Sequence, residues 1–169
     1  MTLPIEGVSS LERLLAACTD AQRVVVVGPP RDVSRPVTWC REEPQGSGPF
    51  AAVAAAVVHT EADVVLVAAG DMPLLGLAKL QLLGALESDP AAHAAVLLDA
   101  DGVRQPLGAA YRRDALVRRF VEMPDPRDRP AKLLLDGLRV NDVAAAGAAA
   151  DCDTWDDVYR IEEELRRAR

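Results

Sequence analysis

The fold is decided by residues 64–73, which read VVLVAAGDMP. Six consecutive apolar residues, half of them valine, predict a short strand buried on both faces. Asp71 follows almost directly, and a carboxylate at the end of a buried strand needs a partner or an ion to offset its desolvation. Residues 74–86 predict a helix, with Pro73 in its first turn. This segment therefore predicts a strand, a loop that carries one carboxylate, and a helix.

The same alternation continues in both directions along the chain. Further strands are predicted at residues 24–27, 37–40, 94–98, 107–111 and 138–143, and further helices at 11–16, 50–59, 113–120, 131–138 and 155–167. Ser9 or Ser10 is expected to cap the first helix and Thr154 the last. Continuous apolar strands alternating with helices indicate a mostly parallel sheet covered on both sides. The prediction is a three-layer α/β/α Rossmann-like fold, in one domain over residues 1–169.

Composition excludes several classes of function. The formal net charge of −7 argues against a nucleic-acid partner, because phosphate backbones attract basic surfaces. Three widely spaced cysteines with no CxxC pair predict neither a disulfide framework nor a zinc site, and they fit a reducing compartment. The N-terminal residues lack the pattern of a signal peptide, and no apolar run is long enough to span a membrane. We therefore expect a cytoplasmic protein.

Asp71 is the strongest candidate for a functional residue. In open α/β sheets, ligands bind beyond the carboxyl ends of the strands, and Asp71 is predicted to lie there. Oxygen ligands suit Mg²⁺, which usually takes one or two carboxylates and completes its shell with phosphate and water. An equally good interpretation is that Asp71 caps the helix beginning near Leu74. The sequence leaves both roles open.

Two loops are further candidates for binding residues. Gly46, Gly48 and Pro49 precede a helix of small residues, so backbone N–H groups could approach a flat base or a phosphate, although a glycine turn before a proline-started helix is common. Gln105 offers amide donors and an acceptor directly before the rigid Pro106, as recognition of a pterin or a base requires. A solvated loop glutamine is the alternative.

Together these segments resemble the molybdenum cofactor guanylyltransferases, the MobA-like nucleotidyltransferases. The resemblance rests on the motifs at residues 48–52 (GPFAA), 70–73 (GDMP), 105–107 (QPL) and 153–158 (DTWDDV), taken in order and spacing. It implies the fold of nucleotide-diphospho-sugar transferases and the transfer of GMP from GTP to molybdopterin, with release of pyrophosphate. By this resemblance Asp71 holds Mg²⁺, the Gly46–Phe50 loop flanks the guanine, and Gln105 with Pro106 faces the pterin. Glu42 or Glu43 lies near a position where the family often has an acid.

The sequence departs from the family at its start. Members begin with a strand and a segment of the form Leu-Ala-Gly-Gly-x-Ser-x-Arg-Met-Gly-x-Asp-Lys, which cradles the triphosphate, whereas the first lysine here is Lys79. Arg31 or Arg35 is the remaining candidate for phosphate binding. Without the first strand, two apolar strand edges are expected to lack partners. This pattern favours a start codon assigned too late, or a shortened form of the protein.

Several other functions fit parts of the same pattern. Within the fold, the rivals are a cytidylyltransferase for the same pterin and a guanylyltransferase for phospholactate. A catalytically inactive remnant that binds pterin or a partner is a third possibility. A signalling receiver is unlike this sequence, because Asp71 lies two residues before Pro73 instead of about four, and Lys132 precedes Leu133 instead of proline.

Overall fold

Helices form where the sequence supplies caps and apolar residues at helical spacing. The computed structural model describes residues 4–150, 152 and 154–167, so Asp153 of the closing motif lies outside the described residues. The described α-helices are α1 (Ser10–Ala17), α2 (Pro49–Val57), α3 (Leu75–Ser88), α4 (Arg113–Glu122) and α5 (Trp155–Arg167). The Ser9 hydroxyl accepts a hydrogen bond from the Glu12 N–H at 3.2 Å. Thr154 accepts one from the Asp157 N–H at 3.2 Å, so both predicted caps are confirmed.

The predicted strands are present with small changes in their boundaries. They are β1 (Val25–Val27), β2 (Thr38–Cys40), β3 (Val64–Ala68), β4 (Ala94–Leu98), β5 (Arg104–Arg112) and β6 (Val140–Ala144). The α-helix predicted at residues 131–138 is wrong, because this segment forms a 3₁₀ helix at Ala131–Leu135. Gly137 follows with a φ of 71°, a left-handed conformation that ends helical structure.

In the described part of the chain, the strands form two separate sheets. In the smaller sheet β1 and β2 are parallel, and the larger sheet has the order β3-β5-β4-β6. β5 is antiparallel to β3 and β4, whereas β4 and β6 are parallel. Three strands of the larger sheet therefore run in one direction and β5 runs in the other.

A bulge in β5 explains how a proline fits inside the larger sheet. Val96 pairs with Ala109, but the next residue of β4 pairs with Gln105, so three residues of β5 have no partner in β4. Pro106 lies among these three, where its missing N–H leaves no ladder bond broken. The Tyr111 hydroxyl donates to the Pro106 carbonyl at 2.7 Å and so holds the bulge to the strand.

Helices cover both faces of the larger sheet. Along β4, Ala95 and Leu97 belong to the apolar cluster that contains α3, whereas Ala94 and Val96 belong to the cluster that contains residues of α2 and α4. All four side chains are fully buried. This alternation explains the continuous apolar sequence of β4 and confirms the three-layer prediction. In the described part of the chain, no helix has the length and apolar character needed to cross a bilayer.

β1 and β3 are less buried than predicted, because each has an edge without a neighbouring strand among the described residues. All of β1 and the first four residues of β3 are half-buried. Within the described residues β1 pairs only with β2 and β3 only with β5, so each strand has one edge without a neighbour. A cavity of about 890 Å³ lies between these edges and is lined by residues 24–27 and 64–69. The two unpaired apolar edges expected from the sequence are thereby confirmed.

Candidate active site

Asp71 lies in the turn between β3 and α3. Its main-chain carbonyl accepts a hydrogen bond from the Cys152 N–H at 2.9 Å, which ties this turn to the segment before α5. Its Oδ1 atom is buried and has no hydrogen-bond partner among the described residues. The N-cap residue of α3 is Leu74, and no side chain caps that helix end. The interpretation of Asp71 as a helix cap is therefore wrong.

The surroundings of Asp71 are compatible with a metal ion that is bound both by this carboxylate and by a ligand such as a nucleotide. A buried carboxylate oxygen without a donor carries a desolvation cost that a bound cation would offset. The described residues contain no group of three His, Cys, Asp or Glu side chains able to hold a metal ion by themselves. Because Mg²⁺ usually takes one or two carboxylates and completes its shell with phosphate oxygens and water, a single carboxylate is compatible with a metal that a nucleotide also binds.

The glycine loop before α2 has a fixed backbone. Gly46 and Gly48 have φ values of 84° and 88°, a region that side chains rarely allow. The Gly46 N–H donates to Glu42 Oε1 at 2.9 Å, and the buried Ser47 hydroxyl donates to the Pro44 carbonyl at 2.5 Å. At Gly48, the N-cap of α2, no side chain bonds to the first N–H groups of the helix. The loop therefore presents backbone, not side chains, at the start of α2.

Asp71 and the glycine loop line two adjoining cavities. Asp71 lines the large cavity between β1 and β3, and Gly46 and Gly48 line a smaller one of about 380 Å³. Val27, Pro49 and Ala52 line both cavities. The structure thus brings the carboxylate and the glycine loop to one region at the ends of β1 and β3. It is also the region where ligands of open α/β sheets bind.

Gln105 and Pro106 line neither cavity. They lie in β5, and Gln105 is half-buried in the strand, so the interpretation of a solvated loop glutamine is wrong. The Gln105 Nε2 atom donates to Asp99 Oδ2 at 2.7 Å. This bond fixes which side of the amide is donor and which is acceptor.

Asp99 organises the turn between β4 and β5, a role that the sequence prediction missed. Its Oδ1 atom accepts hydrogen bonds from the N–H groups of Val103 at 2.8 Å and Asp101 at 2.9 Å. These bonds, the one from Val103 most, hold the pKa of Asp99 below its ordinary value, and the Gln105 amide adds to the effect. An aspartate followed two and three residues later by Asp101 and Gly102 is a signal for such a turn.

The cationic side chains near the cavities are partly engaged elsewhere. Arg35, one of the two candidates for phosphate binding, instead donates to the carbonyls of Cys18 and Leu15 near the end of α1. Lys79 lines the large cavity but donates to Asp20 Oδ1 at 2.6 Å. Arg41, which the sequence prediction did not single out, lines the small cavity. Arg41 directly follows the strand predicted at residues 37–40, and this position could have marked it as a candidate binding residue.

Solved structures of several nucleotidyltransferases resemble this fold. A molybdopterin-guanine dinucleotide biosynthesis protein A from Archaeoglobus fulgidus is 18% identical, with a TM-score of 0.66, over 98% of this chain and 89% of that one. A 2-C-methyl-D-erythritol 4-phosphate cytidylyltransferase from Thermus thermophilus is 20% identical, with a TM-score of 0.69, over 97% and 92%. A nucleotidyl transferase from Methanothermobacter is 22% identical, with a TM-score of 0.70, over 99% and 85%. At these identities the likeness establishes the fold.

The fold is thus that of the nucleotidyltransferases, with a carboxylate at the end of β3. The MobA-like NTP transferase domain matches residues 1–153, and the chain belongs to that family. No curated protein matches the sequence. Membership in this family excludes the signalling-receiver interpretation.

Proposed function

We propose that this protein transfers GMP from GTP to the phosphate of molybdopterin and releases pyrophosphate. The observation that carries the proposal is the buried Asp71 Oδ1 atom, which has no hydrogen-bond partner in the described part of the chain. An unpaired carboxylate oxygen in a protein interior costs free energy unless a cation or donor binds to it. Asp71 lines the cavity of about 890 Å³, which adjoins the one of about 380 Å³, and together they are large enough for a nucleotide and its metal.

The reaction transfers the GMP group of GTP from an oxygen of the leaving pyrophosphate to an oxygen of the acceptor phosphate. An oxygen of the acceptor phosphate attacks the α-phosphorus of GTP, and the bond from that phosphorus to the bridging oxygen breaks. The electron pair of this bond leaves with pyrophosphate. Asp71 would hold Mg²⁺, which when bound offsets the charge on the leaving group. The other residues bind and align the two substrates, and in such reactions alignment supplies much of the catalysis.

The small cavity supports guanine as the base. Gly46 and Gly48 leave part of its wall without side chains, so a flat ring can approach the backbone. Glu42 lines the same cavity, and one of its oxygens already accepts from the Gly46 N–H. A carboxylate can accept from both the ring N–H and the amino group on one edge of guanine, whereas cytosine offers only its amino group. This difference favours GTP over CTP.

Gln105 and Pro106 are the proposed contacts to the pterin of the acceptor. Because Asp99 holds the Gln105 Nε2 atom, the amide oxygen keeps a defined direction and can accept from a pterin N–H. Pro106 lies in the bulge of β5, and its ring restricts the backbone conformation next to Gln105. The expected effect of Gln105→Ala is thus a higher KM for the acceptor with little change in the KM for GTP.

A second candidate function is binding of the nucleotide or the pterin without transfer. It is favoured by the contacts of Arg35 and Lys79, because Arg35 donates to main-chain carbonyls and Lys79 is paired with Asp20. Neither cation is then free to stabilise the leaving pyrophosphate. In this case GTP binds to the protein, but no dinucleotide forms.

One experiment separates these functions. The 169-residue protein is incubated with molybdopterin, Mg²⁺ and either GTP or CTP, while pyrophosphate and the dinucleotide product are measured and nucleotide binding is followed by calorimetry. We expect product with GTP, and a loss of about 100-fold for Asp71→Asn. Asp136→Asn is the matched control, because this exposed carboxylate lies outside both cavities and should leave the rate unchanged.

The outcomes lead to different conclusions. A preference for CTP would reject guanylyl transfer in favour of a cytidylyltransferase. Binding of GTP without product would support the second candidate. Equal rates for the wild type and Asp71→Asn would remove Asp71 from the site.

A further inference from the structure

The small cavity combines apolar walls with a few polar side chains. Its apolar lining consists of four residues: Val27, Pro29, Pro49 and Ala52. Its polar side chains are those of Arg41, Glu42 and Gln45. Apolar walls suit the two faces of a flat base, whereas polar side chains suit its edge, where the donors and acceptors of a base lie. The polar side chains are therefore the ones able to distinguish one base from another.

Arg41 is a cation without a partner in this cavity. It directly follows β2 and is exposed, and its guanidinium makes no hydrogen bond or ion pair with another described residue, although Glu42 and Glu43 come next in the chain. Two other exposed arginines, Arg104 and Arg127, each donate to both oxygens of an aspartate. Arg41 therefore keeps its full set of N–H donors for a ligand.

The other cations that line the two cavities are placed differently. Lys79 lines the large cavity and forms an ion pair with Asp20 at 2.6 Å. Arg23 also lines the large cavity, but it precedes the start of β1, whereas the small cavity is lined by the residues at and just after the end of this strand. Among the described residues, Arg41 is thus the one cation that lines the small cavity.

Arg41 and Glu42 offer donors and an acceptor side by side, and guanine has the matching pattern. Its amino group and ring N–H donate to Glu42 in the function proposed above, which leaves the O6 and N7 atoms as acceptors. These two atoms are the pair that a single guanidinium binds through two N–H groups. Adenine has an amino group in place of O6, so it would set a donor against the donors of Arg41.

We propose that Arg41 distinguishes guanine from adenine by donating to the O6 and N7 atoms of the base. This inference rests on the proposed function, because it takes GTP as the nucleotide. It adds a contact that Glu42 cannot supply, since a carboxylate can also accept from the amino group of adenine. Arg41 contacts the base and not the reacting phosphorus. Arg41→Ala should therefore raise the KM for GTP with little change in kcat.

Nucleotide analogues test this contact one atom at a time. Binding of GTP, 7-deaza-GTP, ITP and ATP to the 169-residue protein is measured by calorimetry with Mg²⁺ present. 7-Deaza-GTP lacks the N7 acceptor, so we expect it to bind about tenfold more weakly than GTP to the wild type, and equally well to Arg41→Ala. ITP lacks the amino group that faces Glu42. Its loss relative to GTP should therefore be the same in both proteins.

Two further variants separate reading of the base from simple charge. Arg41→Lys keeps the positive charge but loses the planar guanidinium, so it should recover only a small part of the preference for GTP over ATP. Arg118→Ala is the matched control, because this exposed arginine of α4 lines neither cavity and should change no affinity. Full recovery by Arg41→Lys, with an equal loss of GTP, 7-deaza-GTP and inorganic triphosphate in Arg41→Ala, would indicate a phosphate contact and overturn the inference.

Failure of this inference is distinguishable from failure of the proposed function. If the wild type forms the guanine dinucleotide but Arg41→Ala keeps the wild-type preference for GTP over ATP and over 7-deaza-GTP, only the role of Arg41 is rejected. A wild type that binds none of the purine nucleotides would reject both.

Discussion

β4 and β3 belong to one sheet and have similar apolar sequences, yet they differ in burial. β4 lies between β5 and β6, and its first four residues are fully buried. Among the described residues β3 has one neighbouring strand, and its first four residues are only half-buried. An apolar run therefore predicts a strand but does not reveal how many strands lie beside it. β3 and β4 differ in the number of neighbouring strands, and the effect of this difference on stability can be measured.

The largest expected effect comes from truncating a leucine in each strand. Leu97 of β4 is fully buried, whereas Leu66 of β3 packs against the same cluster and also lines the large cavity. Leu97→Ala should lower the free energy of unfolding by about 2–5 kcal/mol, because it opens a hole in a filled core. Leu66→Ala should cost clearly less, since its site is already open on one side. Urea unfolding of both variants measures the two free energies of unfolding. Equal decreases in the two variants would contradict the idea that the number of neighbouring strands sets the cost of truncation.

A smaller effect is expected where α1 packs on α3 beside the cavity. A Cβ atom at Gly76 would lie 2.3 Å from the Ala17 Cβ atom, so Gly76→Ala requires α1 to move. We expect a loss of about 1–3 kcal/mol in the free energy of unfolding, the usual cost of overpacking.

The matched control for this change lies in the same helix. A Cβ atom at Gly84 would meet no other atom within 4 Å, so Gly84→Ala should raise the free energy of unfolding by about 0.5–1 kcal/mol. Thermal unfolding of the two variants compares them directly. A stabilised Gly76→Ala variant would contradict this expectation, because it would mean that α1 can move away from α3 without a loss of packing.

The smallest effect is a local, pH-dependent one at the turn between β4 and β5. The hydrogen bonds from Val103, Asp101 and Gln105 lower the pKa of Asp99 from 3.8. The turn is therefore fully stabilised above pH 3.8, and the stabilisation is lost as the pH falls through the lower pKa of the folded state. The Gln105 side-chain amide signal and the exchange of the Val103 N–H should change in this range. In Asp99→Asn that pH dependence should be absent, and in Asp101→Asn it should persist.

Much of the fold could be predicted because it depends on local patterns. The apolar runs at residues 64–69 and 94–98 form strands, and Ser9 and Thr154 cap their helices. The reversed direction of β5 could not be predicted, because an apolar run has the same appearance in either direction. The bulge at Pro106 depends on pairing with β4, which is a long-range property.

The candidate site was predictable only in part. Asp71 stood out because a carboxylate follows a buried strand, but rejecting its interpretation as a helix cap required the hydrogen bonds at the start of α3. Arg35 was wrongly expected at the site, since its bonds to α1 carbonyls depend on how α1 packs. Asp99 was missed as the partner of Gln105, six residues away in the chain and joined to it across a turn.

The cavity between β1 and β3 also has a consequence for the volume of the protein. Pressure favours the state of smaller volume, and the volume lost on unfolding increases with the voids that unfolding eliminates. Any part of the cavity of about 890 Å³ that excludes water should therefore lower the pressure at which this protein unfolds, at a temperature where heat leaves it folded. A ligand that fills this space would make the folded protein more resistant to compression.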